Sequence, residues 1–476
     1  MILAALIFVP LLLVPVAWLV PWYRVRSWLL PLAGAVHLLL VALALGSLPD
    51  AAPGAWIGLD PLSRLVLLGA SPLFLACALY AVDYLEMRRD RGNRVMVPCL
   101  LVFLAALSLA AMARHLGLLW LALESTTLAS APLIYYNRNR YSIEATWKYL
   151  LVCSVGIALA MLGLLFFAYA ALRGGAPVSL TLTDLLAAGP QLSPPWLHAG
   201  FVLLLVGFGT KMGLAPLHAW KPDAYGEAPG LVGALLAGGL TSLAFLAVLR
   251  VMQVMAAAGA LPLARLALLG LGLFSLLLAA LFMMRQTDLK RMLAYSSIEH
   301  MGLLAVGVGI GGLATFGALL HLVNNALAKG CLFLSAGNIH RAFTSKRLAD
   351  VRGALTALPF SGALFLCAFL AVTGSPPFGM FLSEITILRG IFGAGQLWVG
   401  LAVLLMLATV FIGMAASVLE VSQGEPSGRD LAFTDRVLLV APPLVLLLAV
   451  LLLGLYLPEP LRLLLEQGAA LVEEVP

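Results

Sequence analysis

About fourteen apolar runs, each near the ~20 residues that carry a helix across a bilayer, follow one another along this sequence. No polar stretch between them is long enough to fold as a soluble domain of its own. Composition agrees: 62% of the residues are hydrophobic and 11% charged, whereas soluble domains carry roughly a quarter charged residues. The expected fold class is all-α integral membrane, with about fourteen transmembrane helices. The first run, MILAALIFVPLLLVPVAWLV, lacks the basic start and small-residue cleavage site of a signal peptide, so it is read as the first helix.

The formal net charge is +6, and its distribution points to a membrane rather than to nucleic acid. With the N-terminus outside and fourteen spans, one face gathers Arg24, Arg26, Arg88, Arg89, Arg91, Arg94, Arg138, Arg140, Lys221, Arg285, Lys290, Arg291, Arg341, Lys346, Arg347, Arg352, Arg429 and Arg436. The other holds only Arg114, Arg173, Arg250, Arg265, Arg389 and Arg462. The positive-inside rule then predicts a multi-pass plasma (inner) membrane protein with both termini on the outer face. Asp60, in LDPLSRL, is placed to cap the third helix, with Arg64 one turn inside and snorkelling to the surface. Cys77, Cys99, Cys153, Cys331 and Cys367 are scattered singly, without the paired spacing of a zinc, iron–sulfur or disulfide site, and no metal is expected.

Ionisable residues inside such spans are costly and mark functional sites. In GFGTKMGLAPLHAWKPDAYGEAP, the seventh span carries Lys211 and then meets Pro216, which breaks the helix and frees backbone carbonyls. Helix five, HLGLLWLALESTTLASAPLIYY, carries Glu124, and an unpaired carboxylate there would take up a proton, so Lys211 is its expected partner. Helix six brings Glu144 and Lys148 one turn apart near the inner side, an ion pair suited either to anchoring or to proton uptake. Helix eight offers Thr241 and Ser242, whose hydroxyls fit a water wire or interhelical hydrogen bonds. Helix ten, MLAYSSIEHMGLLAVGVGI, sets Glu299 and His300 side by side, with Tyr295 and Ser296 a turn below, so two polar stripes run together. On helix eleven, His321, Asn325 and Lys329 form one polar line. Helix twelve is interrupted by TGSPPFG at Pro376 and Pro377, with Glu384 soon afterwards. Helices one, two, thirteen and fourteen carry no assigned chemistry, and the tail from Pro458 is short and mildly acidic.

Two broken helices five apart run in opposite directions, as an inverted five-helix repeat would give. The expected organisation is residues 1–95 for three N-terminal helices, 96–250 for the first repeat (helices four to eight), 251–421 for the second, inverted repeat (helices nine to thirteen), and 422–476 for helix fourteen and the tail.

Four strings in order, TKMGLAPLHAWKPDAYGEAP, RMLAYSSIEHMG, HLVNNALAKGCLFLSAG and TGSPPFGMFLSE, resemble the antiporter-like proton-pumping membrane subunits shared by complex I, Mrp antiporters and energy-converting hydrogenases. The resemblance covers essentially the whole chain. Within that superfamily, ESTTLASAPLI, EATWKYLLVCSVGIALA and YSSIEHMG look most like the membrane component F of the hydrogenase-4 type. It implies that Glu124 and Lys211 form the modulating ion pair, Lys329 the central relay and Glu384 the terminal residue on the outlet side, with His300 and His321 at family histidine positions. The implied partners are the bilayer, protons and water, other antiporter-like membrane subunits, and a peripheral hydrogenase or iron–sulfur redox module. The chain itself is expected to perform no redox chemistry and to hold no cofactor. It departs from the pattern on helix eight, where many relatives carry a lysine or histidine and this chain has Thr241 and Ser242. The link between the half-channels then falls to water or to an unidentified neighbour. Three readings stay open: a proton-translocating subunit of a redox-driven complex, an Mrp-type monovalent cation/proton antiporter subunit, and a structural scaffold or membrane partner of an inorganic-carbon uptake system.

Overall fold

The computed structural model describes residues 1–47, 50–52, 54–424 and 433–473. Arg429, one of the expected basic loop residues, lies outside them. In chain order the helices are α1 (Ile2–Leu19), α2 (Tyr23–Ser47), α3 (Pro61–Met87), α4 (Met96–Met112), α5 (Leu116–Ile134), α6 (Arg140–Arg173), the short α7 (Leu182–Ala187), α8 (Pro194–Met212) and α9 (Trp220–Glu227). Next, α10 (Gly230–Ala234) runs through a π-helical turn, Leu235–Leu240, into α11 (Thr241–Ala257). There follow α12 (Leu261–Met283), α13 (Leu289–Ile310), α14 (Leu313–Phe343), the single turn α15 (Ala354–Ala357), α16 (Pro359–Val372), α17 (Gly379–Gly393), α18 (Leu397–Ser422), α19 (Val437–Leu455) and α20 (Glu459–Glu473). Among the described residues the only β pairing is three isolated bridges between loops.

Among the described residues, eleven helices are long and apolar enough to cross a membrane. The three other expected spans are the shorter helix α4 and the two broken ones, α8 with α9 and α16 with α17. The span Gly230–Ala257 and α14 are wholly buried and α13 nearly so, whereas α1, α18 and α19 turn most of their surface outward. The polar residues of α13 and α14 therefore lie in the interior of the helix bundle. Small residues let the helices approach closely. A Cβ on Gly207 of α8 would stand 2.5 Å from the Gly156 carbonyl oxygen of α6, and one on Gly272 of α12 would stand 2.8 Å from the Gly302 carbonyl oxygen of α13.

Several expectations are corrected by packing. Helix two is not featureless: His37 hydrogen-bonds to Ser71 of α3 at 2.9 Å and Ser108 of α4 at 2.7 Å. Arg26 is no loop cation, because it is buried and donates to the Ala17 and Asn93 oxygens at 2.8 and 2.6 Å, closing the end of α1. Asp60 does cap α3, accepting from the Ser63 N–H at 2.9 Å, but it is also the buried counter-ion of Arg250, at 2.5 and 2.9 Å, and of Arg114, at 3.0 Å. Arg250 is consequently inside α11 rather than in an outer loop, since a buried charge is tolerated only when paired. Arg64 pairs with Asp50 at 3.0 Å.

The tail is a docked helix. Leu461, Leu465, Ala469 and Val472 bury one face of α20. Glu473 accepts from the Gly312 N–H at 2.9 Å, from Thr315 at 2.5 Å and from Arg265, while Gln253 donates to the Leu471 carbonyl at 3.1 Å.

Candidate functional site: a buried line of ionisable side chains

Breaking the seventh span begins at Gly213, earlier than the expected Pro216. Gly213 takes a left-handed φ of +80°, which an L-residue resists, and so stops α8 directly after Lys211 and Met212. The Thr210 carbonyl oxygen near the break accepts from the Gly213 N–H at 3.1 Å and from the Trp220 indole N–H at 2.8 Å. The indole thus supplies a second donor to one of the carbonyls that the break leaves at the helix end.

Lys211 is fully buried. Its Nζ donates to Thr127 Oγ1, and that hydroxyl donates in turn to Glu124 Oε2 at 2.9 Å. Ser154 donates to the other carboxylate oxygen of Glu124 at 3.3 Å. The expected partners are therefore joined through one hydroxyl rather than in direct contact, with Glu124 only half-buried. Thr127 is one turn beyond Glu124 on the same face of α5, so its place in the chain follows from helical spacing. Lys211 Nζ also stands 5.6 Å from the Tyr149 ring centroid.

A second group gathers where α13, α14 and α17 meet. His321 hydrogen-bonds through Nδ1 to Ser383 at 2.9 Å and through Nε2 to His300 Nδ1 at 3.1 Å. Lys329 Nζ donates to Ser296 Oγ at 2.5 Å. Glu299 Oε2 is 3.9 Å from His300 Nε2, and one ligand atom from each of His300, His321 and Glu384 lies within 4.8 Å of the others. The Glu384 carboxylate folds back against Gly374 in the break, at φ +64°, where any Cβ would collide with it. Asn324 donates to the Leu320 and Gly379 carbonyls at 3.1 and 3.2 Å, tying α14 to the head of α17. Asn325, on the expected polar line between His321 and Lys329, makes no protein hydrogen bond through either side-chain atom among the described residues, and neither Glu299 Oε2 nor His300 Nε2 is within hydrogen-bonding distance of a partner there.

Glu144 and Lys148 form the expected pair at 2.7 Å, with Asp223 adding a second contact to Lys148 at 2.9 Å. Arg291 binds the other side of Asp223 at 3.0 Å. These residues line a polar cavity of about 920 Å³ together with Arg88, Lys290 and Lys346, so several of the expected basic loops do share one face. Thr241 and Ser242 direct their hydroxyl hydrogens to the Ala237 and Gly238 carbonyls of their own helix, each at 2.6 Å, within the π-helical turn.

Besides Thr127, a second residue of the interior escapes a reading of the sequence. Lys221, counted as a loop cation, is fully buried at the start of α9. Its Nζ donates to Ser297 Oγ at 3.2 Å and stands 6.0 Å from the Tyr225 ring centroid. The short half-helix that carries it packs against α6 and α13, which turns an apparent loop into an interior position.

The sequence matches the family described as NADH:quinone oxidoreductase/Mrp antiporter, transmembrane, over residues 113–413. It is 32% identical over 423 residues to a hydrogenase-4 component F homolog of Methylacidiphilum infernorum (isolate V4), covering 85% of this chain and 87% of that protein. It is 33% identical over 356 residues to NADH-quinone oxidoreductase subunit N of Desulforudis audaxviator (strain MP104C), covering 74% and 70% respectively. A chain of respiratory complex I from Thermus thermophilus superposes with a TM-score of 0.84 at 25% identity, covering 100% of both chains.

Proposed function

Because this chain belongs to the NADH:quinone oxidoreductase/Mrp antiporter membrane family, we propose that it translocates protons as a membrane subunit of a redox-driven complex of the hydrogenase-4 or NADH-quinone oxidoreductase kind. The observation that carries the reading is the hydrogen-bonded run Glu124–Thr127–Lys211 at the first helix break, paired with the buried Lys329, Glu299, His300, His321 and Glu384 at the second. Each of these residues except Thr127 exists in two protonation states that differ by one proton, which is what a relay needs.

A signal from a neighbouring subunit separates Glu124 from Lys211. Two unit charges at 4 Å and an effective dielectric near 20 interact by about 4 kcal/mol, and the intervening Thr127 hydroxyl brings that down by lengthening the separation. Removing the carboxylate lowers the proton affinity of the lysine by the same amount. Lys211 then releases its proton towards Lys329, and Glu384 delivers it outward, with Glu299, His300 and His321 carrying it between. Buried polar atoms need partners, and water supplies them where protein does not. Glu299 Oε2, His300 Nε2 and the Asn325 amide are such points.

The same reading places the 920 Å³ polar cavity on the inner face, with Glu144 and Lys148 at the site of proton uptake and a peripheral hydrogenase or iron–sulfur module docked nearby. It places both termini outside and treats residues 96–250 and 251–421 as inverted repeats. The chain works beside other antiporter-like membrane subunits.

The test is to purify the intact assembly, identify its soluble subunits by mass spectrometry, and reconstitute it in vesicles driven by the donor those subunits oxidise. Lys211→Ala and Glu124→Gln are expected to depress proton translocation at unchanged assembly, and Lys148→Ala to do less. Unimpaired translocation by Lys211→Ala overturns the proposal, and flux that depends on a sodium gradient replaces it with cation/proton antiport.

A further inference from the structure

Two proton-holding groups are separated by α9 and the start of α13, and Lys221 stands between them. Towards the first group, its side chain packs against Gly213, the residue that ends the Lys211 helix, where an added Cβ would collide with it. An aromatic row runs the same way: Tyr149 and Trp220 have ring centroids 5.1 Å apart, and Trp220 and Tyr225 5.9 Å. Lys211 stands at the Tyr149 end of that row, 5.6 Å from its ring, and Lys221 at the Tyr225 end, 6.0 Å from its ring. Towards the second group, Lys221 donates to Ser297 at 3.2 Å, and the adjacent Ser296 accepts from Lys329 at 2.5 Å.

Among the described residues Lys221 makes no ion pair. A buried ammonium with no carboxylate beside it costs several kcal/mol. A lysine kept for architecture avoids that cost by pairing, as Arg250 does with Asp60. A lysine that exchanges its proton avoids it by spending part of its cycle neutral.

We infer that Lys221 is the relay residue connecting the two halves of the site, taking the proton that Lys211 releases and handing it on by way of the Ser296–Ser297 pair to Lys329. At each step one ammonium becomes an amine and the next amine becomes an ammonium; no electron moves and no bond to carbon changes. The inference rests on the proton-translocation reading, and it supplies the link that Thr241 and Ser242, bonded back to their own helix, do not.

The experiment compares Lys221→Met, Lys221→Arg and Ser297→Ala in the reconstituted intact assembly, under the same redox drive as wild type. Arginine keeps the charge and the donors but does not release a proton. Relay through Lys221 therefore predicts that the methionine and arginine variants both lose at least about tenfold in proton translocation, the lower end of what a positioned proton carrier contributes being near a hundredfold. Translocation at the wild-type rate by either assembled variant overturns the inference. If neither assembles, Ser297→Ala carries the test, because it removes one hydroxyl: a severalfold loss supports the relay, and an unchanged rate overturns it. A wild-type assembly that moves no protons refutes the functional reading itself, whereas a pumping wild type with pumping variants refutes only the role of Lys221.

Discussion

Replacing Thr127 with valine preserves the outline of the side chain and deletes one oxygen, the atom that accepts from Lys211 and donates to Glu124 at 2.9 Å. After the change, Lys211 retains the face of the Tyr149 ring, 5.6 Å away, but has lost its hydrogen-bonded path to the carboxylate. A hydrogen bond to a charged group contributes about 1.5–3 kcal/mol, and about 1.4 kcal/mol corresponds to a factor of ten. Losing the bridge should therefore weaken the response of Lys211 to Glu124 by roughly tenfold to a hundredfold. The helix itself should persist, because Thr127 contributes no cap to α5. Translocation read from a pH-sensitive dye in reconstituted vesicles is expected to fall about tenfold in Thr127→Val at normal assembly, and Thr127→Ser is expected to restore most of it. Wild-type rates in the valine variant would show that the hydroxyl carries no coupling, and the account of the first half of the site would be wrong.

Other consequences concern the frame around the site. Burial pushes the Asp60 carboxyl up, but Arg250, the Ser63 N–H and Arg114 together outweigh it and hold the group down at about 2. A depressed carboxyl contributes its full stability above its ordinary value of 3.8 and loses it as pH falls towards about 2, so detergent unfolding midpoints should drop across that window in wild type but not in Asp60→Asn. The same variant should be less stable at neutral pH by about 3–5 kcal/mol, since Arg250 is left buried and unpaired, and equal midpoints at pH 7 would contradict this. Glu473→Ala removes the contacts that dock the end of α20, so limited proteolysis within residues 459–473 should accelerate; an unaltered cleavage rate would mean the docking is held elsewhere. Gly213→Ala forces a side chain into a left-handed backbone at φ +80° and against Lys221, whereas a Cβ on Gly270 meets nothing. Stability and translocation should both fall in the first variant and hold in Gly270→Ala, as measured by unfolding midpoint and dye response.

The membrane class, the two broken helices and the titratable residues of the interior could be read from the sequence because lipid makes each of them conspicuous. A lysine in an apolar run, or a Pro-Pro pair in a span, has few innocent explanations. What stayed hidden depended on distance in three dimensions. Thr127 looks like any helix hydroxyl until Lys211 arrives from a helix far along the chain. Lys221 follows a break and lies among prolines and an aspartate, which reads as a solvated turn. Only the packing of α9 against α6 and α13 makes it interior. Arg250 is hidden for the same reason: its place near the expected end of a helix reads as a surface, while Asp60, distant in sequence, supplies the counter-ion that holds it inside. The amphipathic face of α20 is written in the helical spacing of Leu461, Leu465, Ala469 and Val472, but one such face does not by itself say which surface it packs against.

The central claim is that protons cross through the titratable side chains at the two helix breaks. It is tested most directly by counting protons moved per electron transferred, in the reconstituted intact assembly, with Lys329→Met beside wild type. The account predicts a lower proton-to-electron ratio in the variant, with electron transfer continuing. A ratio equal to that of wild type, at equal assembly, would contradict it.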